Sequence, residues 1–405
     1  MDNLTHTLFA LTLARTTLGR AGRGTTAALV LASSAPDVDI IATAGGAASY
    51  LQWHRGPTHG PLGVVGLGLL TAALVWIGRH FVDRYRPARA KEADAGEDRP
   101  SSRHGPADGA RDASFATLAA LSMLAVLLHV LMDLPTSYGT RLLSPFDWHW
   151  YAADWMPIVD VYLLIALATG LAFGRRSEGA GRRNAAIVFV FMAANYGVRA
   201  AEHYEALENA PRLFGPLLPR RCDPSVLDQR LLAEWPRPGR PDVGGGPIDA
   251  QPGTAAPDPT ATASRCLMEL AAMPNFTSPF RWRVIAQMSN AYELHDVDLL
   301  DSRFSDPASD REAFWRLSIR YPNQWTPEVF EASRTRLGQV LLGFSRFPAA
   351  RSIVDHEGLA TVRWTDMRFV GGAVGLDQPA RQMNLFTGTV RIAADGTVLL
   401  ERYGR

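Results

Sequence analysis

Lysine and cysteine are both scarce in this chain of 405 residues. Lys91 is the one lysine among 41 basic residues, so positive charge is carried almost wholly by arginine. With the Ala, Gly and Pro richness, that reads as base composition more than function. Two cysteines, Cys222 and Cys266, are too few for a disulfide framework or a thiolate zinc cluster. A metal here has to take nitrogen and oxygen ligands, and a Cys222–Cys266 disulfide remains open if that half lies outside the cell. An excess of one charge sign is missing too: 41 basic against 40 acidic residues leave +1. No global field then draws nucleic acid. The N-terminus, MDNLTHTLFALTLA, has no basic region ahead of its apolar run, which argues against a cleaved signal peptide. Internal repeats are absent.

What the chain does have is long apolar runs, all in its first half. Residues 61–78 and 184–198 carry no charge, 115–132 hold only His129 as a titratable group, and 157–174 only Asp160. A helix of about 20 residues crosses a bilayer core. Two shorter candidates, 4–18 and 25–44, are interrupted by Arg15 and by Asp37 and Asp39; each reads as a span or as a buried or interfacial helix. Arginine placement orients the set. Arg15, Arg20 and Arg23 follow the first run, eight basic residues fall between 79 and 111, and four fall between 175 and 183. The alternate connections, 45–60 and 135–156, hold only Arg55 and Arg141. That alternation puts the arginine-poor connections, and both termini, outside.

The fold class expected is an all-α polytopic membrane helical bundle of about five to six transmembrane helices, followed by a smaller soluble, β-rich α+β domain. Residues 1–203 form the membrane-embedded part, with 84–113 as a disordered loop by composition. Residues 204–265, rich in Pro and Gly, read as a linker or long loop. In 266–405, alternating runs such as RWRVIAQ, ATVRWTDMRFV, FTGTVRIA and TVLLERY read as strands, with a turn at Asp395-Gly396; 310–319 and 327–342 read as helices.

Polar residues of the membrane half gather at one level. His6, Asp37 and Asp39 of PDVD, His129 and Asp133 of HVLMD, and Asp160 fall near the outer ends of their segments, and His54 and His59 of HRGPTHG lie in the outer loop between. A charged group inside an apolar helix costs ~2.5–3.5 kcal/mol, so such groups face partners or function. His129 and Asp133 are four apart and share a helix face. The turn-prone Arg55-Gly56-Pro57-Thr58 link lets His54 and His59 converge. Imidazole and carboxylate together suit zinc or a similar divalent ion, one or two of them. Read singly, each motif also has a plain account: a helix-ending Pro-Asp turn, an interfacial loop with Arg55 on head groups, a satisfied core histidine. Arg141 would lie beside the site, to hold a phosphate oxygen or to snorkel to head groups. Trp148, Trp150, Tyr151 and Trp155 read as an interfacial belt.

MDNLTHTLFALTLA, APDVD, HRGPTHGPLG, HVLMDLPTSYGTRLLSPF and the following IVD, in that order, resemble the YdjM family of membrane-bound, metal-dependent hydrolases. The likeness covers roughly residues 1–175; the later PNFTSPFRWRV resembles a segment of longer members. The family is distantly similar to zinc-dependent phospholipase C and S1/P1-type nucleases. That resemblance implies His6, Asp37 or Asp39, His59, His129 and Asp133 as ligands, with a carboxylate-held water as nucleophile. It implies a multi-pass protein of the bacterial inner membrane. Two features of the distant relatives have no evident counterpart here: a second His-x-x-x-Glu/Asp pair after Asp133, and the free N-terminal amine. One or two ions are therefore expected in place of three. Asp37 and Arg141 are the residues expected to act on a phosphodiester or ester, membrane lipid or lipid-borne. The alternatives are a metal that staples the helices beside a partner-binding C-terminal domain, and a transporter relay. The absence of polar residues in 61–78 counts against the relay.

Overall fold

The computed structural model of the chain describes residues 1–94, 111–174, 177–214, 220–221, 233–235, 266–288, 291–301, 318–323, 325–370 and 386–404. Its first half is helical: α1 (Asn3–Leu13), α2 (Thr25–Ser34), a 3-10 segment (Pro36–Gly45), α3 (Ala47–Trp53), α4 (Pro61–Asp94), α5 (Phe115–Asp133), α6 (Val161–Phe173) and α7 (Glu178–Asn209). Side-chain caps set the starts. Asp2 accepts from the Thr5 amide at 3.0 Å, Ser114 from Thr117 at 3.1 Å and Asp160 from Leu163 at 2.8 Å, each satisfying an orphan donor of the first turn. α5 stops at Asp133, two residues before Pro135, which has no N–H to carry the helical ladder further.

Among the described residues, three helical stretches are long and apolar enough to cross a membrane: Pro61–Tyr85, Phe115–Asp133 and Glu178–Asn209. A fourth arises if α2 and the 3-10 segment, bent by 42°, are one broken span. Five to six had been the expectation. The difference lies in α1 and α6, of 11 and 13 residues, which at 1.5 Å per residue reach only about 17 and 20 Å of a roughly 30 Å core. Apolar composition runs past both helices. The chain turns after Leu13, and 157–160 is not helical because Asp160 is a cap. α4 and α5 approach so closely at Gly68 that a Cβ there would lie 2.9 Å from Met123 Cα, the small-residue contact typical of membrane bundles. The bundle core joins Leu29 and Ala32 of α2, Leu121 and Ala125 of α5, and Leu163 and Leu167 of α6.

The C-terminal half is built on two sheets. In chain order the strands are β1 (Trp150–Ala152), β2 (Arg220–Arg221), β3 (Ala233–Trp235), β4 (Cys266–Pro274), β5 (Arg281–Met288), β6 (Ala291–Asp298), β7 (Ile319–Pro322), β8 (Pro348–Val354), β9 (Ala360–Asp366), β10 (Thr387–Ile392) and β11 (Val398–Tyr403). A five-stranded sheet has order β2-β4-β5-β6-β7 and a four-stranded one β11-β10-β9-β8; a two-stranded ribbon pairs β1 with β3. All pairings but β2–β4 are antiparallel. Helices α8 (Pro327–Ser333) and α9 (Arg336–Phe344) pack on the four-stranded sheet through Val329, Leu337, Leu341 and Phe344. The expected turn joins β10 to β11, with Gly396 at φ 84°, a left-handed conformation natural to glycine.

Two strands thus fall within 204–265, read as linker from composition. Of the expected disordered loop, α4 runs on to Asp94 and 95–110 lie outside the described residues, as do Cys222 and 310–317. The segment PNFTSPF ties sheet to bundle. Arg199 of α7 donates to the Asn275 carbonyl at 3.0 Å, and Tyr162 donates to that of Thr277 at 2.9 Å. Arg199 and Asp160, both fully buried, form an ion pair at 2.7 Å.

Candidate metal centre

Four side chains from three places in the chain meet at one end of the bundle. Pro36 breaks α2 into the 3-10 segment, whose first turn carries Asp37 and Asp39. The tight 54–60 turn, with Arg55 at φ 49°, carries His59. The last turn of α5 carries His129 and Asp133. One ligand atom from each of Asp37, His59, His129 and Asp133 lies within 4.8 Å of all the others.

Three of these atoms form a nearly equilateral triangle. His59 Nε2 lies 3.3 Å from His129 Nε2 and 3.4 Å from Asp133 Oδ2, and His129 Nε2 lies 3.5 Å from Asp133 Oδ2. Ligands at zinc's ~2.0–2.1 Å in a tetrahedron stand ~3.3–3.4 Å apart, so this spacing fits a single ion. Asp37 Oδ1 faces the triangle, 3.6 Å from His129 and 3.9 Å from His59. The three triangle residues are fully buried, whereas the Asp37 side chain is 18% exposed. Asp133 Oδ2 has no hydrogen-bond partner, and a buried carboxylate oxygen left so is costly without a cation. The donor set, two imidazoles and carboxylates, is that of a zinc-type ion.

A second layer holds these groups. His129 Nδ1 meets the Ser33 carbonyl at 2.7 Å, which fixes the ring with Nε2 toward the centre. Thr58 Oγ1 lies 3.0 Å from His59 Nδ1. Asp39 Oδ2 accepts from the Arg55 amide at 2.7 Å and lies 3.2 Å from His54 Nδ1 and 3.8 Å from His59 Nδ1. Asp39 and His54 therefore sit behind His59. His6 stacks on His129 with centroids 3.7 Å apart, and its Nε2 is 3.3 Å from Asp133 Oδ1.

Burial dominates the electrostatics. It holds the His59 imidazole well below its ordinary value, with the positive potential of His129 and Arg55 adding. It lowers His54 as well, against the opposing pull of Asp39. Both rings are neutral at pH 7, the state that binds a metal.

Sequence reasoning missed two groups on Asp133. The Met1 amino group contacts Oδ1, where no counterpart of the amine had been foreseen. The Arg55 guanidinium also donates to Oδ1, at 3.1 Å. For Arg55 the sequence offered only a place on lipid head groups, as the plain alternative for its loop; its position between two candidate ligands, His54 and His59, was the available signal. Arg141 lies beside the 54–60 turn, its amide donating to the Arg55 carbonyl at 3.1 Å, but its side chain has other partners than the four candidate ligands. It donates to the Gln52 carbonyl and sits over the rings of Trp148 and Trp150, 5.2 and 4.7 Å from their centroids; burial lowers it to about 10. Asp160 belongs to the Arg199 pair and not to the cluster.

The profile of the YdjM inner membrane protein family matches residues 1–206, which contain every residue of the cluster. The protein YfhP of Bacillus subtilis, described as uncharacterized, is 25% identical over 145 residues, 36% of this chain. That stretch spans 35% of YfhP. None of the solved structures matches the chain.

Proposed function

The chain belongs to the YdjM inner membrane protein family, and from the geometry of its cluster we propose that this membrane protein is a metal-dependent hydrolase. Its substrate in this reading is a phosphodiester or ester, lipid-borne, met at the outer face of the membrane with the C-terminal domain on that side. One observation carries the reading. Three buried ligand atoms stand 3.3–3.5 Å apart, and the fourth side is faced by a partly exposed carboxylate. A catalytic site keeps three protein ligands and leaves one position open.

His59, His129 and Asp133 would hold the ion, zinc foremost. When bound, the ion lowers the pKa of water and polarises a phosphoryl or carbonyl oxygen. Asp37 takes the proton of the attacking water, and the departing alkoxide receives it as the ester bond breaks. His54 and Asp39 keep His59 turned toward the centre. Arg55 balances the charge of Asp133 in a buried setting.

A structural ion is the second reading, and the 3.6 Å from Asp37 to His129 favours it, since a fourth protein ligand would close the tetrahedron. The test is hydrolysis of bis(p-nitrophenyl) phosphate and of short-chain carboxylic esters by detergent-purified, zinc-loaded protein. Turnover lost in folded His129→Ala and Asp133→Ala supports the hydrolase. Bound metal without turnover on any of these esters overturns it in favour of the structural ion.

A further inference from the structure

The family profile ends at residue 206, yet the half beyond it reaches the ligand helix. The loop that follows Asp133 has three consecutive contacts. Ser137 gives its carbonyl to Arg368 Nη1 at 3.0 Å. The Tyr138 ring lies 5.2, 5.9 and 6.0 Å from those of Phe344, Phe369 and Phe386. Gly139 gives its carbonyl to Arg55 Nη1 at 2.7 Å. Arg368 is itself fixed: Asp366 accepts from its Nη2 at 2.7 Å, and the Phe344 carbonyl accepts at 3.1 Å.

The same loop then holds Arg55. Its guanidinium sits 4.9 Å from the Tyr138 centroid, reaches Thr136 Oγ1 at 3.4 Å, and turns Nη2 onto Asp133 Oδ1 at 3.1 Å. Asp133 offers its other oxygen, Oδ2, to the two imidazoles. A carboxylate gripped at one oxygen presents the second in a fixed direction, which is how an outer partner orients a ligand. α3 joins in, since Leu51 and Tyr138 share one core with Trp325, Phe344 and Trp364.

We infer that the C-terminal domain positions the Asp133 ligand through Arg55: Arg368 and the Phe344, Phe369 and Phe386 rings hold the 136–139 loop, and that loop holds the guanidinium on the carboxylate. Arg368 and Arg55 are positioning residues in this arrangement. A lone N-terminal half has the ligands but lacks the brace. The inference rests on the metal-centre reading above.

The test is zinc affinity of the full chain in detergent, by competition with a chromophoric chelator, with apo-protein melting as the check on folding. Arg368→Ala weakens zinc binding about ten-fold, the low end of what loss of an outer partner costs a metal site. Arg368→Lys restores little, because one ammonium cannot serve Ser137, Phe344 and Asp366 together. Arg55→Gln weakens binding likewise, and the double variant is no weaker than Arg55→Gln alone, since both act along one path. Wild-type affinity in a folded Arg368→Ala, or losses that simply add, overturns the inference and leaves the metal centre standing. Should Arg368→Ala not fold, Phe386→Leu takes its place: a drop in the same direction supports the brace, and unchanged affinity overturns it. A wild type that binds no zinc ends the metal-centre reading, and this inference with it.

Discussion

His59 and His129 bring their Nε2 atoms to 3.3 Å from one another, although 70 residues separate them. His129 spends its other nitrogen on the Ser33 carbonyl, so its Nε2 presents a lone pair inward. Two such atoms and a carboxylate oxygen, all buried, attract a cation and gain little from each other. Asp37 completes the ring from the one side with access to solvent.

Asp37 is thereby separable from the other three. Asp37→Asn retains bound metal, because the triangle of His59, His129 and Asp133 is intact, and loses hydrolysis by about 10²–10⁴-fold, the usual worth of a positioned base. Metal analysis and initial rates on one preparation check this. Metal lost together with rate would make Asp37 a ligand first.

Asp39 lies behind His59 and touches no other atom of the triangle. Asp39→Ala is expected to weaken metal binding about 10–100-fold without abolishing it, as outer-layer losses do. Chelator competition reads this directly. An unchanged affinity would show that the 3.2 and 3.8 Å approaches to His54 and His59 orient nothing.

The Arg199–Asp160 pair predicts a loss of stability rather than of metal. Both side chains are fully buried, and Asp160 also caps α6. Arg199→Leu leaves a buried carboxylate without its guanidinium, at a cost of about 3–5 kcal/mol, seen as a lower melting temperature in detergent. Ligand geometry is untouched, so zinc content per folded molecule stays at the wild-type level. An unshifted melting temperature contradicts this role for the pair.

His295 of β6 supplies a pH dependence away from the metal. Burial lowers it to about 4, with Asp296 opposing. The unfolded chain takes up this proton below about 6.5 while the folded chain does not. Its contribution is thus full above pH 6.5 and is lost as pH falls toward 4. Denaturant unfolding measured between those values should show His295→Gln losing less stability than wild type. Identical pH slopes in the two would remove His295 from the acid response.

Much of the site was legible because its ligands come in short, chemically dense motifs. HVLMD fixes two donors on one helix face by spacing alone, and Asp37 or His59 stands out against apolar or turn-forming neighbours. The direction of long side chains was not legible. Arg55 and Arg141 look alike as lone arginines in arginine-poor connections, and only packing sends one to Asp133 and the other between indole rings. Fewer full-length spans stand among the described residues than hydropathy suggested, because hydropathy does not register where helix gives way to a cap or turn, as at Asp160 and after Leu13. β6 escaped notice for a different reason. Its residues 291–295 are buried on both faces, Glu293 and His295 included, and a segment with an acid, an imidazole and two aspartates does not read as a buried strand.

The most direct measurement is the metal content of detergent-purified full-length protein, wild type beside His129→Ala and Asp133→Ala. The geometry predicts about one divalent ion per wild-type chain, as a single tetrahedral centre requires, and little in either variant while helical content is kept. Equal and near-zero metal in all three, after loading with zinc, would contradict it.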